Sequence, residues 1–262
     1  MINKGEKAEL FYKAKLLRAK FYGEKVSPFG KITSLSDDAN LSSLVWKKEC
    51  EKFLEFDKAK DLQECLNLKK ASTTSKADVT INAVNYSFKD LSGADPALVN
   101  HFLRPTYESV CTAVGSDIST LDSILEEYWD LRENKVIGED THIQQETCPF
   151  KGHEDYLKPI IIYLSFQGQE TPSSYQADKM IVTMLDQDPE YIKVYDKDEY
   201  WKHIKSRIKF SLRGKDLPKS WAKKDKESKK KWMRTCNGKL KGQLHIRYSP
   251  IGPKREGKKQ GC

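Results

Sequence analysis

An acid and a lysine lie on neighbouring predicted strands in one short segment of the chain. Two β-patterned runs, Val79 to Ile81 and Val84 to Phe88, flank an Asn-Ala pair, so the segment predicts a tight hairpin. If the strands pair, Asp78 and Lys89 converge at one end of a sheet. A carboxylate can hold a hard divalent cation, and an ammonium can orient or deprotonate an attacking water. A carboxylate and an ammonium are the smallest set of side chains that could hydrolyse a phosphodiester bond. The alternative interpretation is an ordinary surface hairpin.

Positive charge is concentrated in the last quarter of the chain. The net charge is +8; residues 197–262 hold 22 Lys and Arg against 6 Asp and Glu, whereas the first 196 residues hold 24 against 32. Aromatic residues are interleaved with these charges, namely Tyr200, Trp201, Trp221, Trp232 and Tyr248. Such a mixture is typical of surfaces that follow a phosphate backbone. A solvated lysine-rich face is the alternative, above all for residues 223–231.

The composition indicates a chain with a very polar surface and enough residues for a substantial core. The chain has 262 residues, of which 38% are hydrophobic and 32% charged. No run approaches the roughly 18 apolar residues of a membrane span, and the first residues open no secretory signal. We therefore expect a cytoplasmic protein without membrane contact. The six cysteines contain no C-x-x-C pair, which predicts reduced thiols.

Helical and strand periodicities alternate along the chain and favour an α/β (α+β) fold with a mixed central β-sheet flanked by helices. Helices are predicted at 6–22, from Ser36 or Asp37 to Phe56, at 58–69, from near Pro96 to a break at Pro105, at 119–133 and at 197–205. Further strands are predicted at 159–166, 180–185, 191–195, 207–212 and 243–248. We expect residues 1–196 to form a helical N-terminal region and a catalytic core, and 197–262 to continue it as a basic region.

One glutamate on the second predicted helix faces the expected core. The apolar sector of that helix consists of Leu41, Val45, Trp46, Phe53 and Phe56. Glu49 falls in the middle of this sector, where a carboxylate needs a compensating partner. A metal ion shared with Asp78 would supply one. The alternatives are an ion pair with a core-facing lysine or arginine, or a rotated helix.

Polar side chains that could contact nucleic acid follow the hairpin and recur on two late strands. The candidates are Asn100, His101 and Arg104 on a short helix after the hairpin, and Arg207, Lys209, Ser211, Arg213, His245 and Arg247 on the strands. Arginine can form a bidentate contact with a guanine edge in the major groove, or it can bind phosphates alone. His101 could instead be an ordinary surface histidine. The last basic residues, which are expected to bind phosphate, are Lys254, Arg255, Lys258 and Lys259.

This layout resembles type II restriction endonucleases of the PD-(D/E)xK nuclease superfamily. The resemblance rests on Ala77-Asp78 followed by Tyr86-Ser87-Phe88-Lys89, on a helix with an inward glutamate before them, on a polar helix after them and on a basic C-terminal half. It covers residues 37–214 in layout and implies a restriction-endonuclease-like core with a basic C-terminal lobe. Two positions depart from the pattern. Ala77 stands where a proline is expected, and Ser87 replaces the first acid of the second half-motif.

Divergent members of the superfamily take the missing carboxylate from a helix, so the resemblance implies that Glu49 or, failing that, Glu108 completes the metal site. It also implies Mg²⁺-dependent cleavage of double-stranded DNA at a short specific sequence. Asp78 and the helical glutamate would hold the ion, Lys89 would position the water or stabilise developing charge, and Ser87 would add a hydrogen bond.

Cleavage of both strands implies a homodimer that reads a palindrome. Two other functions remain open at this point. One is a non-catalytic basic nucleic-acid-binding protein in which Asp78 and Lys89 form a salt bridge. The other is a repair or junction-resolving nuclease of the same superfamily, which reads DNA structure rather than sequence.

Overall fold

The computed structural model describes residues 3–69, 75–185, 187–214 and 226–249. Its helices are α1 (Lys4–Tyr22), α2 (Ala59–Leu66), α3 (Arg104–Val114), α4 (Ile118–Glu133), α5 (Glu154–Phe166), α6 (Lys197–Ile204) and α7 (Lys226–Lys231). Its strands are β1 (Lys25–Val26), β2 (Gly30–Lys31), β3 (Leu35–Ser36), β4 (Val79–Ile81), β5 (Val84–Asp90), β6 (Ala97–Phe102), β7 (Asp140–His142), β8 (Lys179–Met184), β9 (Asp188–Tyr195), β10 (Ile208–Arg213), β11 (Arg234–Cys236), β12 (Lys239–Lys241) and β13 (Gln243–Tyr248). Short 3₁₀ turns cover Leu41–Ser43, Lys48–Phe53, Phe56–Lys58 and Lys205–Arg207.

These elements form two compact units whose segments alternate along the chain. The first unit consists of Met1–Pro96, Phe166–Gly168 and Pro172–Tyr200, and the second of Ala97–Ser165, Gln169–Thr171 and Trp201–Cys262. Each unit contains a multistranded sheet and helices, so the predicted mixture of α and β structure is confirmed. No helix in the described parts of the chain is long and apolar enough to cross a membrane.

Helix α1 opens the first unit, and local hydrogen bonds define both of its ends. Asn3 Oδ1 accepts a hydrogen bond from Glu6 N at 2.9 Å, and Asn3 N donates to Glu6 Oε2 at 3.2 Å, which makes a capping box. Gly23 ends the helix at φ 68°, a left-handed conformation that glycine adopts without steric cost. The Tyr12 and Phe88 ring centroids are 5.5 Å apart, which fixes α1 against β5. The helix predicted at 6–22 is confirmed.

The sheet of the first unit has the strand order β3-β4-β5-β8-β9. Strands β3, β4 and β5 are antiparallel to one another, β8 runs parallel to β5, and β9 is antiparallel to β8. Alternate residues such as Val79, Ile81 and Ile181 are buried in the core that also contains the apolar side of α1. The predicted hairpin and the strands at 180–185 and 191–195 are confirmed.

The sheet of the second unit is antiparallel throughout, in the order β6-β13-β10-β7. On its apolar side the Phe150 and Phe210 rings stack with centroids 3.8 Å apart. Trp129 Nε1 on α4 donates to the Trp232 carbonyl oxygen at 2.8 Å. The helices predicted at 119–133 and 197–205 and the strands at 207–212 and 243–248 are confirmed to within about a residue, the usual uncertainty of element ends.

The helix predicted from Asp37 to Phe56 is wrong. The chain forms two 3₁₀ turns there, Leu41–Ser43 and Lys48–Phe53, and a third begins at Phe56. Asp37 Oδ1 accepts hydrogen bonds from Ala39 N at 2.9 Å and Leu41 N at 3.0 Å, and such side-chain bonds compete with helix formation. Cys50 is joined by a disulfide bond to Cys65 on α2, so the prediction of reduced thiols is wrong for this pair. Helix α2 itself lies within the predicted range of 58–69.

The segment after the hairpin is also not the predicted helix from Pro96 to Pro105. It forms β6, and α3 begins only at Arg104. Pro105 therefore starts a helix instead of breaking one, because the first N–H groups of a helix have no intrahelical partner to lose. Asn100 and His101 are consequently exposed strand residues.

The apolar run at 159–166 is a helix and not the predicted strand. It forms most of α5, with Pro159 inside the helix. Ile160, Ile161 and Leu164 are each at most 1% exposed. When every side of an element is buried, the sequence loses the alternation that separates a strand from a helix.

Candidate active site

The turn between β4 and β5 aligns the candidate site residues. Asn82 and Ala83 have left-handed φ angles of 49° and 65°, the conformation of a two-residue hairpin turn. Such a turn usually needs glycine, and here the Asn82 side chain anchors it. Its Oδ1 accepts from Thr33 N at 2.8 Å, and its Nδ2 donates to the Lys31 carbonyl oxygen at 3.0 Å. The register that follows pairs Val79 with Tyr86.

Asp78 lies directly before β4 and opposite Ser87. Asp78 N donates to the Tyr86 carbonyl oxygen at 2.8 Å, which extends the strand ladder. Asp78 Oδ2 accepts hydrogen bonds from Phe88 N at 2.7 Å and from Ser87 Oγ at 3.2 Å. Among the described residues, no donor binds Oδ1. The carboxylate is therefore held in place by one oxygen while the other can take a ligand.

Two lysines act on Asp78 electrostatically. Lys89 is two residues beyond Ser87 and so shares its face of β5, and Lys76 lies two residues before Asp78. Within the described parts of the chain neither ammonium forms an ion pair or a hydrogen bond. Burial and then the charge of Lys89 lower the pKa of Lys76 to about 8, and Asp78 opposes this shift.

A second carboxylate reaches this cluster from α1. Glu9 acts on Asp78 electrostatically, and the Nζ of Lys13, one helical turn later, lies 2.8 Å from Glu9 Oε1. Burial first, and then the charge of Glu9, raise the pKa of Asp78 to about 6 against the opposing effects of Lys89, the Phe88 N–H and Lys13. Two acids from separate elements thus share one partly buried region.

Glu9 is absent from the sequence-based candidates, although its spacing carries a signal. Glu9, Lys13, Leu16 and Leu17 follow the i, i+4, i+7, i+8 pattern of one helix face, and Lys13, Leu16 and Leu17 are buried. Burying a charged pair within an apolar helix face costs free energy, so such a pair is a signal in the sequence. Only the fold shows that Glu9 and Lys13 act electrostatically on Asp78.

The two glutamates that the sequence favours have other surroundings. Glu49 lies in the 3₁₀ turn Lys48–Phe53 and is exposed, so the prediction that it faces the core is wrong. Glu108 lies on α3 in the second unit. Its Oε2 is 3.1 Å from Arg104 Nη1 and accepts a hydrogen bond from Ser228 Oγ at 3.2 Å. The carboxylate that acts electrostatically on Asp78 is that of Glu9.

The carboxylate of Asp78 is a candidate ligand for a Mg²⁺ ion. Among the described residues there is no cluster of three or more His, Cys, Asp or Glu side chains that could hold a metal. Mg²⁺ does not need one, because it keeps several waters and is commonly bound through one or two carboxylates together with substrate phosphates. Asp78, with Oδ1 unbonded among the described residues, and Glu9 could supply those carboxylates.

The second unit carries a basic sheet face, which we define as Asp140, Lys209, Arg213, His245 and Arg247. Cross-strand pairing places Lys209 opposite Arg247 and Ser211 opposite both Asp140 and His245, so these side chains share one face. Asp140 Oδ1 lies 2.7 Å from Arg247 Nη2 and 3.9 Å from Arg213 Nη2, and its Oδ2 lies 4.0 Å from Lys209 Nζ. Three cations around one carboxylate leave a net positive charge.

His101 extends the basic sheet face, because its ring lies beside that of His245. The rings of His101 on β6 and His245 on β13 have centroids 4.2 Å apart. Burial, followed by the charges of His101, Arg247 and Arg213, lowers the pKa of His245 to about 3, against the effect of Asp140. His245 is therefore neutral at physiological pH. Its Nδ1 and the Nε of Arg247 are buried and have no hydrogen-bond partner in the described parts of the chain.

The remaining nucleic-acid candidates are dispersed. Arg104 is 7% exposed and is bound by Asp122 within the second unit, so its guanidinium is not at the surface. Arg207 lies in the 3₁₀ turn before β10 rather than in the strand, and Asn100 is exposed on β6. Residues 215–225 and 250–262, with Lys254, Arg255, Lys258 and Lys259, lie outside the described residues.

Comparison of the chain with protein-family models, curated proteins and solved structures found no match. A function for this chain therefore has to be inferred from the residues of the site itself.

Proposed function

We propose that this protein is a Mg²⁺-dependent endonuclease that hydrolyses phosphodiester bonds of double-stranded DNA, with a restriction-endonuclease-like core around the first unit's sheet. The observation that carries the proposal is the Asp78 carboxylate, which Phe88 N and Ser87 Oγ hold through Oδ2, on the strand pair that also carries the ammonium of Lys89. Lys89 has no ion-pair partner among the described residues. A carboxylate for a hard cation and an ammonium for a phosphate or an attacking water are the two kinds of group that phosphodiester hydrolysis needs.

Each residue has a defined task in this proposal. Asp78 and Glu9 hold the ion through carboxylate oxygens; when bound, Mg²⁺ polarises a phosphate oxygen and lowers the pKa of a coordinated water. Lys89 orients the water or stabilises charge that develops on the phosphorus oxygens. Ser87 takes the place of an acid but binds no metal. Its hydroxyl donates to Asp78 Oδ2 and keeps Oδ1 turned to the ion.

The basic sheet face of the second unit supports DNA as the substrate. Its three cations outnumber its one carboxylate, and such a surface attracts a phosphate backbone without regard to sequence. Arg213 and Arg247 are also able to read guanine edges, so cleavage at a short specific sequence belongs to the proposal. Because the described residues of one chain offer one such candidate site, cutting both strands requires two chains, and we include a homodimer.

A non-catalytic role finds less support. It explains Asp78 and Lys89 as partners in a salt bridge, and no ion pair within 4.0 Å joins them among the described residues. A non-catalytic role also does not explain why Glu9 acts on Asp78, because the negative charge of Glu9 raises the free-energy cost of ionising the Asp78 carboxylate.

The experiment is incubation of the purified chain with plasmid and phage DNA in Mg²⁺, with EDTA as the metal-free control. Discrete bands are expected; a smear or nicking would indicate a structure-reading or nonspecific nuclease instead. Asp78→Asn, Glu9→Gln and Lys89→Met should abolish cleavage but retain DNA binding in a gel-shift assay. Glu49→Gln is the matched control and should cut normally. Full activity in Lys89→Met, or no cleavage by the unaltered protein, would contradict the proposal.

A further inference from the structure

The guanidinium of Arg247 on β13 uses only one of the two donors along one of its edges. Its Nη2 lies 2.7 Å from Asp140 Oδ1, whereas its Nε is buried and has no hydrogen-bond partner in the described parts of the chain. The N–H groups of Nε and Nη2 point the same way, so one carboxylate or phosphate can accept from both. A buried donor without a partner costs free energy. This edge therefore favours an anion that supplies a second acceptor.

Arg104, in the same unit, shows the fully bonded arrangement. Its Nε and Nη2 donate to the two carboxylate oxygens of Asp122 at 2.7 and 2.9 Å. Asp140 gives Arg247 one hydrogen bond where Asp122 gives Arg104 two. Asp140 is therefore an incomplete partner for the guanidinium that it contacts.

Two further cations of the basic sheet face lie at the limit of an ion pair with Asp140. Arg213 Nη2 is 3.9 Å from its Oδ1, and Lys209 Nζ is 4.0 Å from its Oδ2. A carboxylate has two oxygens and one charge, too few to bind three cations closely. A phosphomonoester has three terminal oxygens and carries about −1.5 to −2 charges at pH 7. Such a group neutralises the net charge of +2 that the three cations and one carboxylate leave.

A buried histidine on the same face offers one more donor. His245 lies two residues before Arg247 on β13 and so shares its side of the sheet. It is 7% exposed, and its Nδ1 has no hydrogen-bond partner in the parts of the chain that the structure describes. In the tautomer that carries hydrogen on Nδ1, the ring can donate to an oxyanion. Two unbonded nitrogen atoms on one sheet face thus indicate a ligand rich in acceptors.

We propose that the basic sheet face is a binding site for a phosphomonoester, and that Asp140 occupies this site until the ligand displaces it. The phosphate accepts from Nε and Nη2 of Arg247, and its other oxygens lie towards Arg213 and Lys209. Asp140 is one-third exposed, so its side chain can turn towards solvent. The site goes beyond the proposed cleavage site. That a DNA end supplies the phosphate rests on the proposed function, because hydrolysis of a phosphodiester leaves a phosphomonoester on one end of the cut strand.

Equilibrium binding to DNA ends tests the proposal. Fluorescence anisotropy of the full chain, with EDTA to prevent cleavage, compares blunt duplexes that carry 5′-phosphate, 3′-phosphate or only hydroxyl groups, each with two different terminal base pairs. We expect one phosphorylated form to bind at least about tenfold more tightly than the hydroxyl form, the effect of an added charge-assisted hydrogen bond. A preference that follows the terminal base pair instead of the phosphate would overturn the inference and favour guanine reading.

Free phosphate compounds distinguish the source of the ligand. Calorimetric titration of the full chain with inorganic phosphate and with a deoxynucleoside 5′-monophosphate measures their binding directly. Tight binding of either one, together with equal affinities for all the duplexes, would support the site but assign it to a free phosphate compound. Equal affinities for the duplexes without binding of either compound would overturn the inference.

Three variants separate this site from a basic surface in general. Arg247→Lys keeps the charge but removes the paired donors, so the preference for a phosphorylated ligand should disappear. Asp140→Asn removes the competing charge and should strengthen the binding of inorganic phosphate. Arg234→Lys, at another arginine of the second unit, is the matched control and should keep the preference. An unchanged preference in Arg247→Lys would overturn the inference, and the duplex comparison in the unaltered protein decides it if that variant does not fold.

Failure of this site and failure of the proposed nuclease function are separate outcomes. Cleavage of plasmid DNA in Mg²⁺ by a protein without any preference for a phosphomonoester would overturn only the inference. A clear preference without cleavage would overturn only the nuclease, and the site would then bind phosphate that another reaction supplies.

Discussion

Asp78 in the first unit and Asp122 in the second are both shielded from water, yet the groups around them shift their pKa values in opposite directions. Asp122 accepts hydrogen bonds from Arg104 at 2.7 and 2.9 Å, from Lys231 at 2.7 Å and from Trp232 Nε1 at 2.8 Å. Burial alone would raise its pKa, but these donors lower it to about 2. Asp78 has two donors on one oxygen and a second acid nearby, and its pKa rises to about 6.

The difference separates a structural carboxylate from one prepared for a ligand. Asp122 has its charge neutralised by the protein itself, so it stabilises the fold and leaves nothing for a substrate or metal to neutralise. Lys89, the Phe88 N–H and Lys13 neutralise Asp78 only in part, so a divalent cation would further lower the free energy of its ionised form. The predictions below test this contrast.

The largest effect is expected for Asp78→Asn on cleavage. The amide keeps the shape and can still accept from Phe88 N, but it cannot neutralise a metal ion. We expect the rate to fall by about 10⁴-fold, equivalent to about 5 kcal/mol of activation free energy. Single-turnover cleavage of plasmid DNA measures it. A loss below tenfold would mean that Asp78 is not a metal ligand.

Asp122→Asn should lower the free energy of unfolding rather than the rate of cleavage. It removes the carboxylate that binds Nε and Nη2 of the buried Arg104 guanidinium, and breaking a buried pair costs about 3–5 kcal/mol. Urea unfolding monitored by tryptophan fluorescence measures the change. Asp130→Asn, at an exposed position of the same helix, should change the free energy of unfolding little. Equal free energies of unfolding for Asp122→Asn and Asp130→Asn would contradict the stabilising role of Asp122.

The pH dependence of stability should have opposite signs at the two acids. Unfolded Asp78 loses its proton near pH 4 and folded Asp78 only near pH 6, so folding takes up a proton between these values and stability falls as pH rises. Asp78→Asn should therefore be more stable than the metal-free parent by up to about 3 kcal/mol above pH 6 and similar to it near pH 4.

For Asp122 the pKa of the folded state lies below that of the unfolded state. Its stabilisation is present above about pH 4 and is lost as pH falls towards 2, which amounts to about 2.5 kcal/mol. Urea midpoints of the parent and of Asp78→Asn and Asp122→Asn at a series of pH values measure both slopes. Parallel dependences of the urea midpoint on pH for all three proteins would contradict the opposite pKa shifts of Asp78 and Asp122.

Asp140 is an intermediate case, because it is one-third exposed and three cations of the basic sheet face surround it. It occupies the position that a DNA phosphate would take. Asp140→Asn should tighten DNA binding by about fivefold, roughly 1 kcal/mol, and steepen its salt dependence by about one ion. Fluorescence anisotropy over a range of salt measures both. Glu133→Gln removes one exposed charge from the same unit and should change neither the affinity for DNA nor its salt dependence. Weaker DNA binding by Asp140→Asn would exclude the basic sheet face from DNA contact.

Three strands that the sequence predicts correctly have apolar and polar residues in alternation, even where both faces are buried, as in β13. In β4, β5 and β13 this alternation indicates the type of element. Where nearly all residues are apolar, as in the run within α5, the pattern is uninformative. Between Asp37 and Phe56 the apolar spacing suggests a helix, but the Asp37 side-chain bonds and the disulfide of Cys50 to Cys65 impose turns.

For the site, the sequence alone determined the local part: the hairpin, and with it the placing of Asp78, Ser87 and Lys89, because a two-residue turn leaves one strand register. Only the tertiary structure decided which distant groups join them. Glu9 acts electrostatically on Asp78, and Lys13 is buried between Glu9 and Asp37, because helix packing brings together residues whose separation along the chain carries no information about their distance.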